Sequence, residues 1–170
     1  PKPQTPNPET QVAPGSVFYL QILNVMYAYE TDKIILRKDR SVASLSWNME
    51  NALVAIGFND RTFKLLRMED GESSQGDLQM SHNTTIQTSH KGAIRTISWN
   101  ESYDKLLTVD DRGMMIVWTE SGQDAYVEEM VNEAGSKQIK FARWSSSGKF
   151  IVIVIQGGSL ILGSVEGARL

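Results

Sequence analysis

Residues 93–118 read AIRTISWNESYDKLLTVDDRGMMIVW and carry the clearest structural signal in the chain. An alternating apolar and polar segment ends at Trp99 and is followed by a polar turn. A mostly apolar segment over 105–109 leads to a second turn over 110–113, and a third apolar segment ends at Trp118. The pattern predicts three short β-strands joined by tight turns.

The same pattern occurs twice more in the chain. Trp47-Asn48 leads at the same spacing to Leu66, and Trp144-Ser145 leads at the same spacing to Gly163. Repeats of roughly 45 to 50 residues built from short strands are typical of β-propeller blades. We therefore predict an all-β fold, a β-propeller fragment of about three four-stranded blades in an incomplete or open ring.

Composition divides the chain into regions. All five prolines fall within residues 1–16, which we expect to be a disordered tail. Residues 17–41 are expected to be an N-terminal extension with a lead-in strand, built from one or two strands or a short helix. The longest loop is expected over 69–78. The blades are expected at about 42–82, 90–131 and 137–170, with the chain ending inside the third blade before its outer strand.

Charge and residue usage exclude several classes of function. The net charge of −3 does not suggest a nucleic-acid partner, which usually requires a basic domain. The absence of cysteine excludes disulfides, thiolate zinc sites and cysteine nucleophiles. No apolar run approaches the roughly 18 residues of a membrane span, so we predict no transmembrane segment.

The pair Asp110-Asp111 near His90 suggests either chemistry or a structural turn. An Asp between two strands can accept backbone N–H bonds, and a His at the start of a blade can bond across to it. A hydrolase triad of Ser89, His90 and Asp111 lacks the strained G-x-S-x-G turn, and His82 with His90 has no zinc-ligand spacing. We predict no catalytic set, no metal, no cofactor and no small-molecule substrate.

Two sets of residues are singled out. The structural repeat positions are Trp47, Asp60, His90, Trp99, Asp111, Trp118 and Trp144. The candidate protein contacts are Glu69, Asp70, Glu72, Tyr103 and Arg112, chosen because they are polar or aromatic residues of turns and loops.

The second repeat resembles a WD repeat. The usual opening Gly-His appears as Ser89-His90, and the usual closing Trp-Asp appears as Trp118-Thr119. The closing pair is Leu66-Arg67 in the first repeat and Gly163-Ser164 in the third. These departures argue against the full hydrogen-bonded tetrad of WD repeats, above all in the first and third repeats.

A closer resemblance covers about residues 26–170. Segments 46–48, 64–69, 99–106, 115–118, 126–132 and 162–167 are similar to the amino-terminal WD40-type propeller of the WD repeat-containing protein 35 family, also called intraflagellar transport protein 121. The resemblance implies a non-enzymatic subunit of intraflagellar transport complex A, acting in retrograde ciliary transport and cilium assembly. Its implied partners are other complex A subunits and ciliary cargo, and its implied locations are the cytoplasm, the cilium and the basal body.

An alternative stays open. Tubby-like proteins with a WD-repeat start and a SOCS box are also similar, and they imply a substrate receptor of a ubiquitin ligase. The resemblance implies a long insertion after the first Trp strand in those proteins, so the 19-residue step from Trp47 to Leu66 argues against them.

Overall fold

The computed structural model describes residues 17–20, 26–29, 40–70, 78–122, 125–135 and 137–166. The expected tail over 1–16 lies outside these residues. The chain divides into two compact units, Pro1–Ile35 and Leu36–Leu170. In the first unit, β1 (Val17–Leu20) and β2 (Met26–Tyr29) pair as an antiparallel hairpin.

The second unit confirms the predicted all-β fold, with 11 strands in three antiparallel sheets. Each sheet is a meander in which consecutive strands are neighbours. The first sheet contains β3 (Val42–Asn48), β4 (Leu53–Phe58), β5 (Thr62–Asp70) and β6 (Leu78–Gln87); the second contains β7 (Ile94–Asn100), β8 (Lys105–Asp110), β9 (Met114–Gly122) and β10 (Ala125–Glu133); and the third contains β11 (Ile139–Trp144), β12 (Phe150–Ile155) and β13 (Ser159–Ser164).

The first sheet departs from the expected boundaries. Its outer strand runs to Gln87, past the expected limit at residue 82. Asp70 pairs with Leu78, so both ends of the expected 69–78 loop belong to strands. Backbone pairing needs no apolar side chain, and polar residues are common on the outer strand of a sheet.

The three sheets share one register. Trp47 pairs with Val54, Trp99 pairs with Leu106, and Trp144 pairs with Ile151. Each inner strand is also interrupted by a register shift near its start. The sequence repeat is therefore a structural repeat, and equivalent residues can be matched from sheet to sheet.

Apolar side chains on both faces of the middle strands explain why the sheets stack. Every residue of β4 is buried, as are the last five residues of β8. One core lies between the first and second sheets, and its members include Leu53, Phe63, Leu65, Ile94, Trp99, Leu106, Ile116 and Trp118. A second core lies between the second and third sheets, and its members include Leu107, Val109, Met115, Val117, Ala142, Ile151, Ile153 and Ile155. Each sheet thus removes a face of its neighbour from water.

Polar contacts align the sheets along their strands. Ser44 and Ser46 of β3 accept hydrogen bonds through Oγ from the backbone N–H groups of Ile97 and Trp99, at 3.0 and 3.1 Å. These bonds therefore fix the position of β3 relative to β7 along the strand direction.

The turns after the inner strands also interlock. The Asn51 side-chain amide donates to Asp104 at 3.0 Å, and the Asn100 amide donates to the Gly148 carbonyl at 2.8 Å. We call this side of the unit, where β3, β7 and β11 end, the Tyr103 end. The opposite side, where those strands begin, is the His90 end.

The outermost faces of the stack keep apolar side chains in water. On β3, Leu45 is 57% exposed and Trp47 51%, and Met49, in the turn that follows, is 80% exposed. On β13, Leu160 is 60% exposed and Leu162 is 42% exposed. These are the faces against which a further sheet would pack in a longer propeller.

Candidate protein-interaction site

A buried chain of polar side chains crosses the second sheet. Trp118 Nε1 donates to Thr108 Oγ1 at 2.8 Å, and His90 Nε2 lies 2.7 Å from the same oxygen. His90 Nδ1 lies 3.3 Å from Asp110 Oδ2. Thr108 and Asp110 are fully buried, and Trp118 and His90 are nearly so. Trp, Thr, His and Asp thus form a complete tetrad in this sheet.

The surroundings of the tetrad favour one arrangement of its protons. An indole nitrogen can only donate, so Thr108 Oγ1 accepts from Trp118. The Asp110 carboxylate beside Nδ1 favours the tautomer in which Thr108 donates to His90 Nε2. The remaining imidazole proton then resides on Nδ1 and faces the carboxylate of Asp110. This tautomer leaves His90 neutral, and its Nδ1 faces Asp110 Oδ2 at 3.3 Å in an electrostatic contact that lacks hydrogen-bond geometry.

Asp110 also clamps two loops at the His90 end. Its Oδ2 accepts the backbone N–H groups of Lys91 and Gly92, each at 3.0 Å. Its Oδ1 accepts those of Arg112 and Met114, at 2.9 and 2.8 Å. One carboxylate therefore holds the loop that enters β7 to the turn between β8 and β9.

Burial and hydrogen bonding set the charge states of the tetrad. Burial lowers the pKa of His90 below its usual 6.5, although the negative charge of Asp110 opposes the shift. Burial also disfavours the ionised form of Asp110. Backbone N–H donors from Met114 and Gly92 outweigh that effect and hold its pKa below the usual 3.8. At neutral pH the pair is a neutral imidazole beside a carboxylate.

The structure corrects the assignment of Asp111 as the repeat position. Asp111 is only half-buried, and it accepts from the backbone N–H of Ala93 at 3.1 Å and from the side chain of Arg95 at 3.3 Å. Asn59 of the first sheet makes the equivalent bond, accepting from the N–H of Ser41 at 2.8 Å. Asp111 therefore matches Asn59, and the residue facing His90 is Asp110.

Asp60 is also not the counterpart of the tetrad carboxylate. Val42 pairs with Phe58 just as Ile94 pairs with Asp110, so Phe58 occupies that position in the first sheet. Asp60 lies in the following turn, where it accepts from Thr62 and forms a salt bridge with Arg40 at 2.7 Å. Burial opposes ionisation of Asp60, but the Thr62 and Arg40 donors hold its pKa below the usual 3.8.

Residues without polar side chains occupy three of the tetrad positions in the other two sheets. The positions of Thr108, Asp110 and Trp118 are taken by Ile56, Phe58 and Leu66 in the first sheet, and by Ile153, Ile155 and Gly163 in the third. Trp118 packs edge-on against Phe63, with ring centroids 4.9 Å apart. The equivalent pair in the third sheet is Gly163 and Met115, and a cavity of about 210 Å³ lies between them.

The tryptophans at the repeat positions have different environments. Trp99 is buried and packs edge-on against Tyr126, at 5.7 Å between ring centroids. Trp144 is half-buried and donates through Nε1 to the carbonyl of Ser98 at 3.3 Å. Trp47 is exposed on the outermost face, as described above.

The five predicted protein contacts do not form one patch. Tyr103 is 39% exposed in a 3-10 turn at the Tyr103 end, where β5 also ends with Glu69 and Asp70. Arg112 is exposed at the opposite, His90 end. Glu72 lies outside the described residues. The described contacts therefore occupy two separate surfaces.

Sequence reasoning missed Thr108 as part of the site. The available signal was its position two residues before Asp110 on one strand, which places both side chains on the same face. A polar residue at that position of a buried strand needs a polar partner, and His90 supplies it.

Comparison with known proteins gives the family. The family described as WDR35/TULP4 N-terminal, a β-propeller domain, matches residues 26–170. The chain belongs to this family. It is 32% identical over 151 residues to WD repeat-containing protein 35 of Homo sapiens, covering 85% of this chain and 13% of that protein. It is 34% identical over 80 residues to Tubby-related protein 4 of Homo sapiens, covering 47% of this chain and 5% of that protein. The chain therefore spans only a small part of the relatives that it matches.

Solved structures agree with the fold. A chain of a mitotic checkpoint complex superposes with a TM-score of 0.61 at 11% identity, covering 85% of this chain and 40% of that chain. The C-terminal WD40 domain of Sif2 superposes with a TM-score of 0.55 at 17% identity, covering 75% of this chain and 35% of that chain. At these identities the likeness concerns the WD40 fold alone. Among the described residues, no helix has the length and apolar character to cross a bilayer.

Proposed function

We propose that this chain is a non-enzymatic protein-binding scaffold and acts within a subunit of intraflagellar transport complex A. The observation that carries the proposal is the 32% identity to WD repeat-containing protein 35 along 85% of the chain. The role proposed for the whole protein is retrograde ciliary transport and cilium assembly, in the cytoplasm, the cilium and the basal body. Its proposed partners are other complex A subunits and ciliary cargo, all proteins.

The geometry supports a scaffold in a second way. Asp110 of the tetrad holds two loops together at the His90 end, and hydrogen bonds between turns hold the Tyr103 end. Turns held in one geometry lose little conformational entropy when a partner binds, and this favours recognition by a preformed surface.

The second candidate is a substrate receptor of a ubiquitin ligase, and similarity to Tubby-related protein 4 favours it. That similarity spans 47% of the chain, against 85% for WD repeat-containing protein 35. The shorter match ranks it second.

Affinity purification of the full-length protein from ciliated cells tests the proposal. We expect complex A subunits to co-purify with the tagged protein, and we expect Asp110→Asn to reduce their recovery more than Asp111→Asn. Recovery of ubiquitin-ligase components in place of complex A subunits supports the second candidate. Recovery of neither group contradicts both.

A further inference from the structure

Charge is distributed unevenly between the two ends of the stacked sheets. Among the described residues, six exposed cations lie at the His90 end; Lys91 and Arg95 form ion pairs, and the other four are Arg61, Arg112, Lys137 and Lys140. Within the part of the chain that the structure describes, no carboxylate pairs with any of the four. Three carboxylates at this end pair with other cations: Asp60 with Arg40, Asp111 with Arg95, and Glu133 with Lys91. Glu128 accepts hydrogen bonds from Ser89, and Asp110 belongs to the tetrad.

Carboxylates predominate at the Tyr103 end. Glu50, Glu101, Asp104 and Glu166 lie in or beside the turns of the Tyr103 end. Glu101 and Asp104 accept hydrogen bonds from the turn of the first sheet but face no cation in the described residues. The chain as a whole is acidic, so the four cations form a local basic surface on an acidic molecule.

Backbone contacts connect the segments that carry the cations. The Arg61 carbonyl accepts from Thr88 Oγ1 at 2.5 Å, and Thr88 Oγ1 accepts from the backbone N–H of His90 at 3.2 Å. The Asp110 clamp then links this loop to the turn of Arg112. The loop that contacts Arg61 and the turn that carries Arg112 are therefore joined.

Close packing at two glycines extends the surface to the third sheet. A Cβ at Gly92 would lie 2.9 Å from Arg112 Cγ, so the Arg112 side chain lies directly over that backbone. A Cβ at Gly113 would lie 2.4 Å from the Lys137 carbonyl oxygen. The segments of Arg112 and Lys137 are therefore in contact, and Lys140 follows at the start of β11.

Arg61 occupies a strained position. Its φ is +68°, and the equivalent residues of the other two turns are Gly113 at +87° and Gly158 at +89°. A left-handed conformation is unfavourable for a residue with a Cβ, and such outliers concentrate at functional sites. A guanidinium thus projects from a turn in which the other two sheets use glycine.

We propose that the basic surface formed by Arg61, Arg112, Lys137 and Lys140 binds an extended acidic peptide of a partner protein. Carboxylates at successive turns of such a peptide would reach one cation on each sheet. The ion pairs Asp60–Arg40, Asp111–Arg95 and Glu133–Lys91 also place carboxylates at this end of the sheets. A continuous polyphosphate backbone would meet those carboxylates, whereas a peptide with spaced acids would not. This inference rests on the proposed function and specifies the chemistry of one partner.

Fluorescence anisotropy with a labelled peptide of alternating Glu and Ser tests the proposal. We expect binding by the chain that weakens as salt rises, because exposed ion pairs are screened. The quadruple Gln variant at Arg61, Arg112, Lys137 and Lys140 should bind about tenfold more weakly. Arg112→Gln alone should weaken binding more than Lys149→Gln, which removes an exposed cation from the Tyr103 end.

Three results would overturn the proposal. They are equal binding of a Gln-Ser peptide, equal effects of Arg112→Gln and Lys149→Gln, or tighter binding of a single-stranded oligonucleotide than of the acidic peptide. Circular dichroism of each variant separates loss of binding from loss of fold. The two experiments are independent. A chain that does not bind the acidic peptide can still co-purify with complex A subunits, and a chain that does not co-purify with them can still bind the peptide.

Discussion

Asp110 and Asp111 are neighbours of the same type in very different surroundings. Asp110 is fully buried and accepts four backbone N–H bonds, whereas the Asp111 side chain is 35% exposed and has a surface arginine as its ion-pair partner. The difference arises from their positions on the strand: the last residue of β8 points into the sheet stack, and the next residue begins the turn.

Exchanging each aspartate for asparagine should separate the two roles. Asp110→Asn replaces an acceptor oxygen with an NH₂ group among N–H donors, so we expect a loss of about 2–3 kcal/mol in unfolding free energy. Asp111→Asn keeps the acceptor for the Ala93 N–H and removes only an exposed ion pair, so we expect a loss below about 1 kcal/mol. Urea unfolding followed by tryptophan fluorescence measures both values. Equal losses would contradict the clamp.

His90 should make stability depend on pH in the mildly acidic range. Its pKa is lower in the folded state than the 6.5 of the unfolded chain, so protonation favours unfolding. The contribution of His90 should therefore be constant above about pH 6.5, fall as the pH decreases from there toward the folded-state pKa, and level off below that pKa. A second decline should begin below about pH 3.8, because the folded-state pKa values of Asp110 and Asp60 are also lowered.

Thermal unfolding of histidine variants between pH 8 and pH 5 checks this dependence. His90→Gln should flatten the decline below pH 6.5, whereas His82→Gln, on the outer strand β6, should preserve it. If stability falls equally steeply in the His90→Gln variant, other titrating groups cause the pH dependence.

The strands were predictable from sequence, but the tetrad was not. Alternation before Trp99 and the apolar run after it define the strands through the two-residue period of side chains. The identity of the His90 partner depends on a register shift between Ile94 and Thr96, which brings Asp110 opposite the start of β7. Such a bulge leaves no signal in the side-chain pattern, so two adjacent aspartates could not be distinguished.

At the scale of elements, the turns after the inner strands join one sheet to the next. Gly148 has a φ of +70°, and a Cβ there would lie 2.3 Å from Asn100 Oδ1 and 2.9 Å from Tyr103 Cδ2. This turn thus fits against the turn of the second sheet only when it lacks a side chain.

Gly148→Ala and Gly157→Ala form a matched pair. Both residues have positive φ, and a Cβ at Gly157 would meet nothing within 4 Å. Each alanine carries the strain of a left-handed backbone, about 1 kcal/mol. Gly148→Ala should lose about 1–3 kcal/mol more, because it overpacks the contact between the turns. Urea unfolding gives the difference, and equal losses would show that the turns do not support each other.

At the scale of the whole molecule, the described sheets form a stack whose two outermost faces carry exposed apolar side chains. On the third sheet these include Phe150, Leu160 and Leu162, each more than 40% exposed. Contiguous apolar surface of this kind drives association between proteins.

We expect the isolated chain to self-associate in solution. Replacing Leu160 and Leu162 with lysine should shift it toward the monomer, because the charges make burial of that face unfavourable. Lysine at Val127 and Val131, two exposed valines on β10 of the second sheet, is the matched control and should change little. Size-exclusion chromatography with light scattering measures the mass. A monomer of 19.0 kDa for the unmodified chain would contradict this expectation.

The separation of cations and carboxylates between the two ends gives the second unit an electric dipole along its strands. A negatively charged body that comes within the Debye length, about 10 Å at 0.1 M salt, would exert a torque on that dipole. Encounters would then occur preferentially with the His90 end, which carries Arg61 and Arg112, facing the negatively charged body. Such pre-orientation raises the association rate at low ionic strength and leaves the dissociation rate to the contacts themselves.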